Sequence, residues 1–399
     1  MPARIYSPAF EDLIAPMTTD EFYRRYWEQE VLFLPFNDSS KFSDLLTLDD
    51  VDEFLARSDL RVPAIRLVKA GGQIPIHEYT TSFSLGGYRA TDLIRTDRVL
   101  ANYQAGATIL IQLANWSLPS LKPFATRLEK YFGFNVEMNV YLTPPNSQGF
   151  SAHFDTHSVF ALQLCGEKTW QLHGRRPVQP ILTDRFDSSI ETPGAVEHEL
   201  EMTPGSFLYI PRGRFHSARA NAEPSLHVTI GLFPPSWLDV FHARVAQLAD
   251  DPRFRLAPSP IDHTNHSEEL LREFSKGFSV ESLRSGIRKA GYSVENQPSR
   301  GRLLGTLASA ALTLDTRIRI RSEATFHVEV DDEKVTIHGM GSLATFPLRA
   351  QPLLSILLSN TRTFCLSEVQ SDFDDQSLLV VTKALLRFGF LVLVPHSDA

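Results

Sequence analysis

Hydrophobic and polar positions change period along this chain, and the changes divide it. Residues 18–30 read as a helix: Thr18-Thr19-Asp20-Glu21 is a capping signature, and Phe22, Tyr26 and Trp27 fall on one side. A buried strand is expected over 31–36, a short helix over 49–56, a strand over 64–68, and a helix within 92–105 that closes at Gly106. From residue 108 the period shortens. Apolar runs of strand length recur at 108–113, 136–142, 158–164, 168–172, 207–210 and 226–232, separated by proline and glycine turns, which is the pattern of an all-β barrel or sandwich.

Pro234-Pro235 closes that block, and helical periodicity returns at 237–248, 267–276 and 280–290 around a polar, proline-rich loop over 250–265. Beyond Asn296-Gln297-Pro298 an Ala- and Leu-rich helix is expected over 302–313. Strands follow at 317–320, 325–330 and 334–338, the last two joined as a hairpin at Asp331-Asp332. The chain ends with helices at 351–358, 366–370 and 375–388 and a strand at 391–394, a winged-helix order. The expected division is a β-rich unit over 1–236, a helical linker or dimerisation region over 237–300, and a winged-helix-like unit over 301–399.

Length and composition agree with several units. At 399 residues the chain is about two to three times the usual domain size. With 43% hydrophobic and 22% charged residues it has the apolar content for packed cores, which excludes a disordered or fibrous chain. A net charge of -8 argues against a nucleic-acid scaffold, because phosphate contact needs clustered Lys and Arg. Only Cys165 and Cys365 are present, so neither a disulfide framework nor a thiolate zinc site is available, and a cytoplasmic setting is expected. No export signal is expected in residues 1–20, which carry acids and prolines where a basic end and an apolar run would stand. No membrane span is expected either, since the most apolar stretch, 378–395, is interrupted by Lys383 and Arg387.

The residues that carry chemistry lie in the β block. In a strand, positions two apart share a face, so His153 and Asp155 can bind one ion together, and His216, just beyond the turn Pro211-Arg212-Gly213, offers a third ligand. Two imidazoles and one carboxylate on one face of an ion form the facial triad of non-haem Fe(II) oxygenases and leave positions open for co-substrate and O2. His-x-Asp alone is weak among 13 histidines; its neighbours add weight. Gly166 is expected to turn the strand over 158–164 back as a hairpin, which puts Lys168 on the adjacent strand facing the same cavity. A lysine there is either a solvated side chain or, inside a barrel, the partner of an anion such as a dicarboxylate. Asn139 and Tyr141 share a face of the preceding strand, with Tyr141 equally readable as a core aromatic.

Residues 139–150, then His153-Phe154-Asp155-Thr156-His157-Ser158, Gly166-Glu167-Lys168, Trp170 and the segment 205–216 resemble the JmjC-type cupin oxygenases, and within them the ribosomal oxygenases. The resemblance covers 65–233 in motif detail and the whole chain in domain order. It implies a double-stranded β-helix followed by a helical dimerisation region and a winged helix, hence a homodimer. It also implies Fe(II) held by His153, Asp155 and His216, with 2-oxoglutarate as co-substrate alongside O2. Lys168 would then pair with the distal carboxylate, Asn139 and Tyr141 would line its pocket, and Thr229 is a weaker candidate for the same place. The reaction implied is decarboxylation of 2-oxoglutarate coupled to hydroxylation of a protein side chain, with a ribosomal protein as the suspected substrate. On the substrate side of the pocket the candidates are His157, Ser158 and Arg214; Ser158 stands where many relatives have an acid. His173 and His227 read as core or rim histidines.

Residues 351–399 carry three basic side chains (Arg362, Lys383, Arg387) and five acidic ones (Glu368, Asp372, Asp374, Asp375, Asp398), a net of -2, so a nucleic-acid role for the last unit is not expected. The acidic total suits a basic polypeptide partner. Two alternatives stay open: hydroxylation of a small peptide or natural product, and a cupin that keeps a metal without catalysis and serves as an interaction protein.

Overall fold

A computed structural model describes residues 9–35, 38–249, 251–257, 264–276, 302–308, 311–321, 326–339 and 342–394. The helix expected over 280–290 and the boundary at 296–298 lie outside them. The chain divides into two compact units, the first ending at Phe233 and the second made of everything from Pro234 on together with the short segment Gly133–Asn135.

Among the described residues of the first unit thirteen strands follow one another: β1 (Leu32–Leu34), β2 (Ile65–Lys69), β3 (Gly72–Gln73), β4 (Thr80–Leu85), β5 (Tyr88–Ile94), β6 (Thr108–Ile111), β7 (Val136–Thr143), β8 (Ser158–Cys165), β9 (Lys168–Arg175), β10 (Val196–Met202), β11 (Phe207–Ile210), β12 (Arg214–Ala220) and β13 (Ser225–Leu232). Eight form one sheet in the order β1-β11-β8-β13-β7-β6-β2-β3, three form a second sheet in the order β10-β9-β12, and β4 and β5 make a separate hairpin. Consecutive strands β8 and β9, and likewise β11 and β12, lie in different sheets. The chain therefore winds from sheet to sheet as it climbs, the cupin-like barrel of a mixed α/β unit.

This winding corrects the hairpin expected at Gly166. Both edges of β8 are occupied, by β11 and β13, so β9 has no edge on which to pair and crosses to the smaller sheet. Gln163 holds the corner, its Nε2 donating to the carbonyls of Cys165 (2.8 Å) and Gly166 (2.9 Å) and to Ser225 Oγ (2.9 Å). Gly166 sits at φ +62°, and a Cβ there would lie 2.0 Å from the Pro224 carbonyl oxygen. Gly166→Ala is expected to destabilise the protein by about 3 kcal/mol or more, through backbone strain and a backbone clash together, read as a lowered urea midpoint.

The barrel interior is packed on one side by Ala161, Trp170, Leu172, Met202, Leu208 and Ile210. On the outer face of the large sheet Phe160 and Tyr209 meet Phe22, with Phe10 and Phe132 also against Phe160, so the N-terminal segment and the helix Lys122–Phe132 brace β8 and β11 from behind. That helix and strands β10 and β12 were not legible in the hydrophobic pattern. β10 is Val-Glu-His-Glu-Leu-Glu-Met, with its glutamates on one face and most of its residues exposed, so it lacks an apolar signal. The helix expected over 18–30 is short. Thr18 caps Thr19–Glu21, one π-helical turn follows in which the Trp27 amide donates to the Phe22 carbonyl (3.0 Å), and Glu28 stops it at φ +59°.

In the second unit the helix Trp237–Leu248 is capped by Ser236, whose side chain accepts from the Asp239 amide, and the helix Thr264–Lys276 follows. After the helix Arg302–Ala308, shorter than expected since residues 312–313 are not helical, come β14 (Arg317–Ile320), β15 (Phe326–Val330), β16 (Lys334–Gly339), β17 (Ser342–Pro347), β18 (Phe364–Cys365) and β19 (Leu391–Leu393). They form two three-stranded sheets, β18-β14-β19 and β15-β16-β17. Asp331 closes the β15–β16 hairpin by accepting from the Glu333 (2.9 Å) and Lys334 (2.8 Å) amides. The helices Gln351–Ser359 and Asp375–Phe388 bury Leu353, Leu354, Leu357, Leu385 and Leu386 in one core with these sheets. No helix among the described residues is long and apolar enough to cross a membrane.

Candidate active site

His153 is not part of a regular strand. It makes one isolated bridge to His216 on β12, the His216 amide donating to the His153 carbonyl (2.8 Å) and the His153 amide to the His216 carbonyl (3.1 Å). The chain then leaves extended pairing, and the Gly213 amide donates to the Asp155 carbonyl (2.9 Å). Backbone pairing across the two segments, rather than strand alternation, brings the three side chains together.

Their ligand atoms all lie within 4.8 Å of one another. Asp155 Oδ2 is 3.5 Å from His216 Nε2 and Oδ1 is 3.9 Å from His153 Nε2, spacings with room for an ion between the groups. Both imidazoles are oriented from behind. His153 Nδ1 is 2.8 Å from the Ser151 carbonyl and His216 Nδ1 is 3.0 Å from the Arg214 carbonyl, so each Nδ1–H donates and each Nε2 lone pair faces the common point. Burial, with repulsion from His153, pushes the His216 imidazole down to about 4, so it is neutral at physiological pH. Burial pushes the Asp155 carboxyl up, but the field of His157, His153 and His216 outweighs it and holds it below the usual range, so it is ionised. Two imidazole Nε2 atoms and one carboxylate converging on one point form a donor set that suits a divalent ion.

The triad lines a cavity of about 290 Å³ between the two sheets. Lys168 lies in it, 3% exposed, its Nζ donating to Thr143 Oγ1 (3.0 Å) and lying 3.3 Å from His227 Nδ1. No carboxylate among the described residues is in ion-pair range of it. Burial accordingly pushes its ammonium down to about 7. His227, held well below its usual value by burial and by Lys168, is the neutral acceptor, and it stacks on Tyr141 with ring centroids 4.7 Å apart. Burial pushes the Tyr141 phenol up, so it stays protonated.

Asn139, Tyr141, Lys168, Thr229 and His157 all line this cavity. Asn139 also accepts from the Leu113 amide (3.1 Å), and His157 stacks on Phe233 at 4.5 Å. Ser158 and Arg214 do not line it, which corrects both. Ser158 is on the opposite face of β8 from Val159, fully buried, and its hydroxyl donates to Glu28 (3.0 Å). Arg214 pairs with Glu197 on β10, and only its backbone carbonyl serves the site. His173 is buried against the Gly194 carbonyl (3.1 Å), away from the cavity. Among the lining residues that sequence reasoning missed, His227 and Arg66 are the two that can carry charge. His227 is two positions before Thr229 on β13 and shares its face, a signal that alternation contains; Arg66, on β2, carries none, because only the pairing of β2 with β6 brings it to the cavity.

One cupin-like barrel thus brings a His-x-Asp pair, a distal His and a buried lysine without a carboxylate partner among the described residues to a single cavity, an arrangement able to hold a divalent ion beside an anion. The JmjC domain family matches residues 117–240. It is similar to Ribosomal oxygenase 1 of Rattus norvegicus (34% identical over 245 residues, 59% of this chain and 38% of that one) and of Homo sapiens (33% over 243 residues, 59% and 36%). It is also similar to the bifunctional lysine-specific demethylase and histidyl-hydroxylase NO66 of Culex quinquefasciatus (30% over 249 residues, 58% and 35%). The match spans less than two fifths of each of these relatives. Among solved structures, YcfD of Escherichia coli, described as a ribosomal oxygenase in complex with cobalt and 2-oxoglutarate, has the same fold. The TM-score is 0.54 at 17% identity, covering 95% of this chain and 99% of that one.

Proposed function

We propose that the protein is an Fe(II)- and 2-oxoglutarate-dependent oxygenase that hydroxylates a side chain of a ribosomal protein. The observation that carries this is the conjunction, in one cavity, of three convergent donors whose Nδ1 atoms are already engaged and a buried ammonium with no anionic partner. The likeness to ribosomal oxygenases and to a structure described with cobalt and 2-oxoglutarate supports the same reading.

The residues present fit the group. His153, Asp155 and His216 would hold Fe(II) from one side and leave the cavity side open. Bound there, the iron supplies the redox chemistry that couples oxidative decarboxylation of 2-oxoglutarate to insertion of one oxygen atom of O2 into a C–H bond. The chain's own part is binding and exclusion of water. Lys168 with Thr143 takes the distal carboxylate, Tyr141 and Thr229 border it, and Trp170, stacked on His216 at 5.9 Å, closes the dry side.

The charge of the lining narrows the target residue. The cavity contains two cationic side chains, half-buried Arg66 and buried Lys168, and its single carboxylate, Asp155, belongs to the triad. A lysine or arginine target would enter with no counter-charge, whereas a neutral imidazole or amide enters without that cost. This favours the histidyl-hydroxylase activity named for NO66 over its lysine demethylase activity. The test is turnover with Fe(II), 2-oxoglutarate and O2, followed as succinate, together with intact masses of ribosomal proteins from cells with and without the gene. One added oxygen on a histidine supports the assignment; succinate release that Asp155→Ala does not reduce refutes it.

Affinity for 2-oxoglutarate is expected to depend on pH. The dicarboxylate needs Lys168 protonated, and the free protein holds that group near 7, so binding takes up a proton. Affinity should fall by about tenfold per unit as pH rises above 7, and calorimetry in buffers of different ionisation enthalpy should show proton uptake.

For the second unit, we read residues 237–300 as a dimerisation region and 301–399 as a winged-helix-like module that serves protein contact in the cytoplasm. The helix Trp237–Leu248 exposes Trp237, Leu238, Phe241 and Val245, an apolar face that a second copy would cover. Sedimentation is expected to give a dimer that Val245→Glu converts to monomer. In the helix Asp375–Phe388 the exposed positions are Asp375, Gln376, Val380 and Arg387, a surface without the charge that DNA requires.

A further inference from the structure

We propose that Glu28 and Arg212 form a positioning pair for the His153–Asp155–His216 centre, acting from outside the cavity through the turn at 211–213. The proposal rests on the reading of that triad as a metal centre. Glu28 is a non-glycine residue at φ +59°, a conformation that persists only where its surroundings impose it. Here they do. Its amide donates to Tyr209 Oη (2.9 Å), and its carbonyl accepts from Arg175 (3.0 Å). Its carboxylate accepts from Arg212 Nε (2.6 Å), Gln179 Nε2 (2.9 Å) and Ser158 Oγ (3.0 Å). The Arg212 amide in turn donates to Ser158 Oγ (3.2 Å), so both the side chain and the backbone of Arg212 are tied to one anchor.

What the anchor holds is the turn between β11 and β12. The next residue, Gly213, donates its amide to the Asp155 carbonyl (2.9 Å) and accepts at its own carbonyl from the Arg176 amide (2.8 Å), and Arg214 supplies the carbonyl that orients His216. Displacing Arg212 therefore moves the backbone contacts of two of the three ligands together. The pair is shielded, with side-chain exposures of 17% and 22%, and neither residue lines the cavity, so substrate and co-substrate do not touch it. Ion pairs in water are worth little, but a shielded pair within a hydrogen-bonded network leaves an uncompensated charge when one partner is removed.

The test uses the full chain, metal-free, titrated with cobalt(II) without 2-oxoglutarate and followed by its visible absorption, beside thermal unfolding of the same metal-free samples. Glu28→Gln and Arg212→Met are expected to weaken cobalt binding at least tenfold and to alter the band shape and intensity. Gln179→Ala, which removes a partner of Glu28 that does not touch the turn, should keep affinity within about twofold of wild type. A contact that merely stabilised the fold would lower the melting temperature and leave affinity and spectrum unchanged. That result in Glu28→Gln, with Asp155→Ala still weakened, overturns the positioning role and leaves the metal centre intact. Wild-type protein that binds no cobalt, or Asp155→Ala that binds it as wild type does, overturns the metal centre and this proposal with it.

Discussion

Asp155→Ala is expected to abolish succinate formation and to weaken metal binding by more than about a hundredfold, beyond the 10–100-fold that outer-shell changes cost. The carboxylate is the only anionic donor among the three, and the two imidazoles left behind supply no negative charge to the ion. The fold should survive, because the contact Asp155 makes with the turn is through its backbone carbonyl, which the substitution keeps. Metal titration and circular dichroism on the same sample separate the two effects. Retained turnover in the folded variant would refute the assignment.

Lys168→Met is expected to change binding and stability in opposite directions. Without the ammonium the distal carboxylate of 2-oxoglutarate would be buried unpaired, a loss of about 3 kcal/mol or on the order of a hundredfold in affinity. The free protein carries the reverse burden: a buried cation whose partners among the described residues are Thr143, His227 and the Tyr141 ring, none of them anionic. Methionine fills similar volume without a charge to desolvate, so the unliganded variant should be more stable by roughly 1–3 kcal/mol. The stability gain should be larger below pH 7, where the wild-type lysine is charged, than above it. Calorimetric titration and denaturant unfolding at two pH values check both signs. A variant that is less stable and still binds 2-oxoglutarate would show Lys168 to be a structural side chain.

The donor set was legible because residue type carries it. His153, Asp155, His216 and Lys168 were each chosen for chemistry that few other side chains supply, and the cavity contains all four. The routes to them are not local. Strand alternation does not place His153 and Asp155, which a single bridge to β12 and the turn before it position; nor does a hairpin form at Gly166, because both edges of β8 are taken. Ser158 and Arg214 failed for the same reason, since the face a residue presents depends on strand starts and bulges that local pattern does not fix. A register shift lies between Arg214 and His216 in the pairing of β12 with β9. His227 is both buried and in contact with Lys168, so its strand pattern alone does not separate a core histidine from a cavity one.

By itself the sequence determined the change from helical to strand period, the chemistry of the donors and, in Lys168, a cation that needs an anion once buried. These are local properties, set by side-chain type and by spacings of a few residues. The tertiary structure decided which faces meet, that Arg66 and His227 join the cavity, and that Glu28 reaches Arg212 across 184 positions. Those choices depend on sheet order and on which backbone edges remain open, quantities that exist only once distant strands have paired.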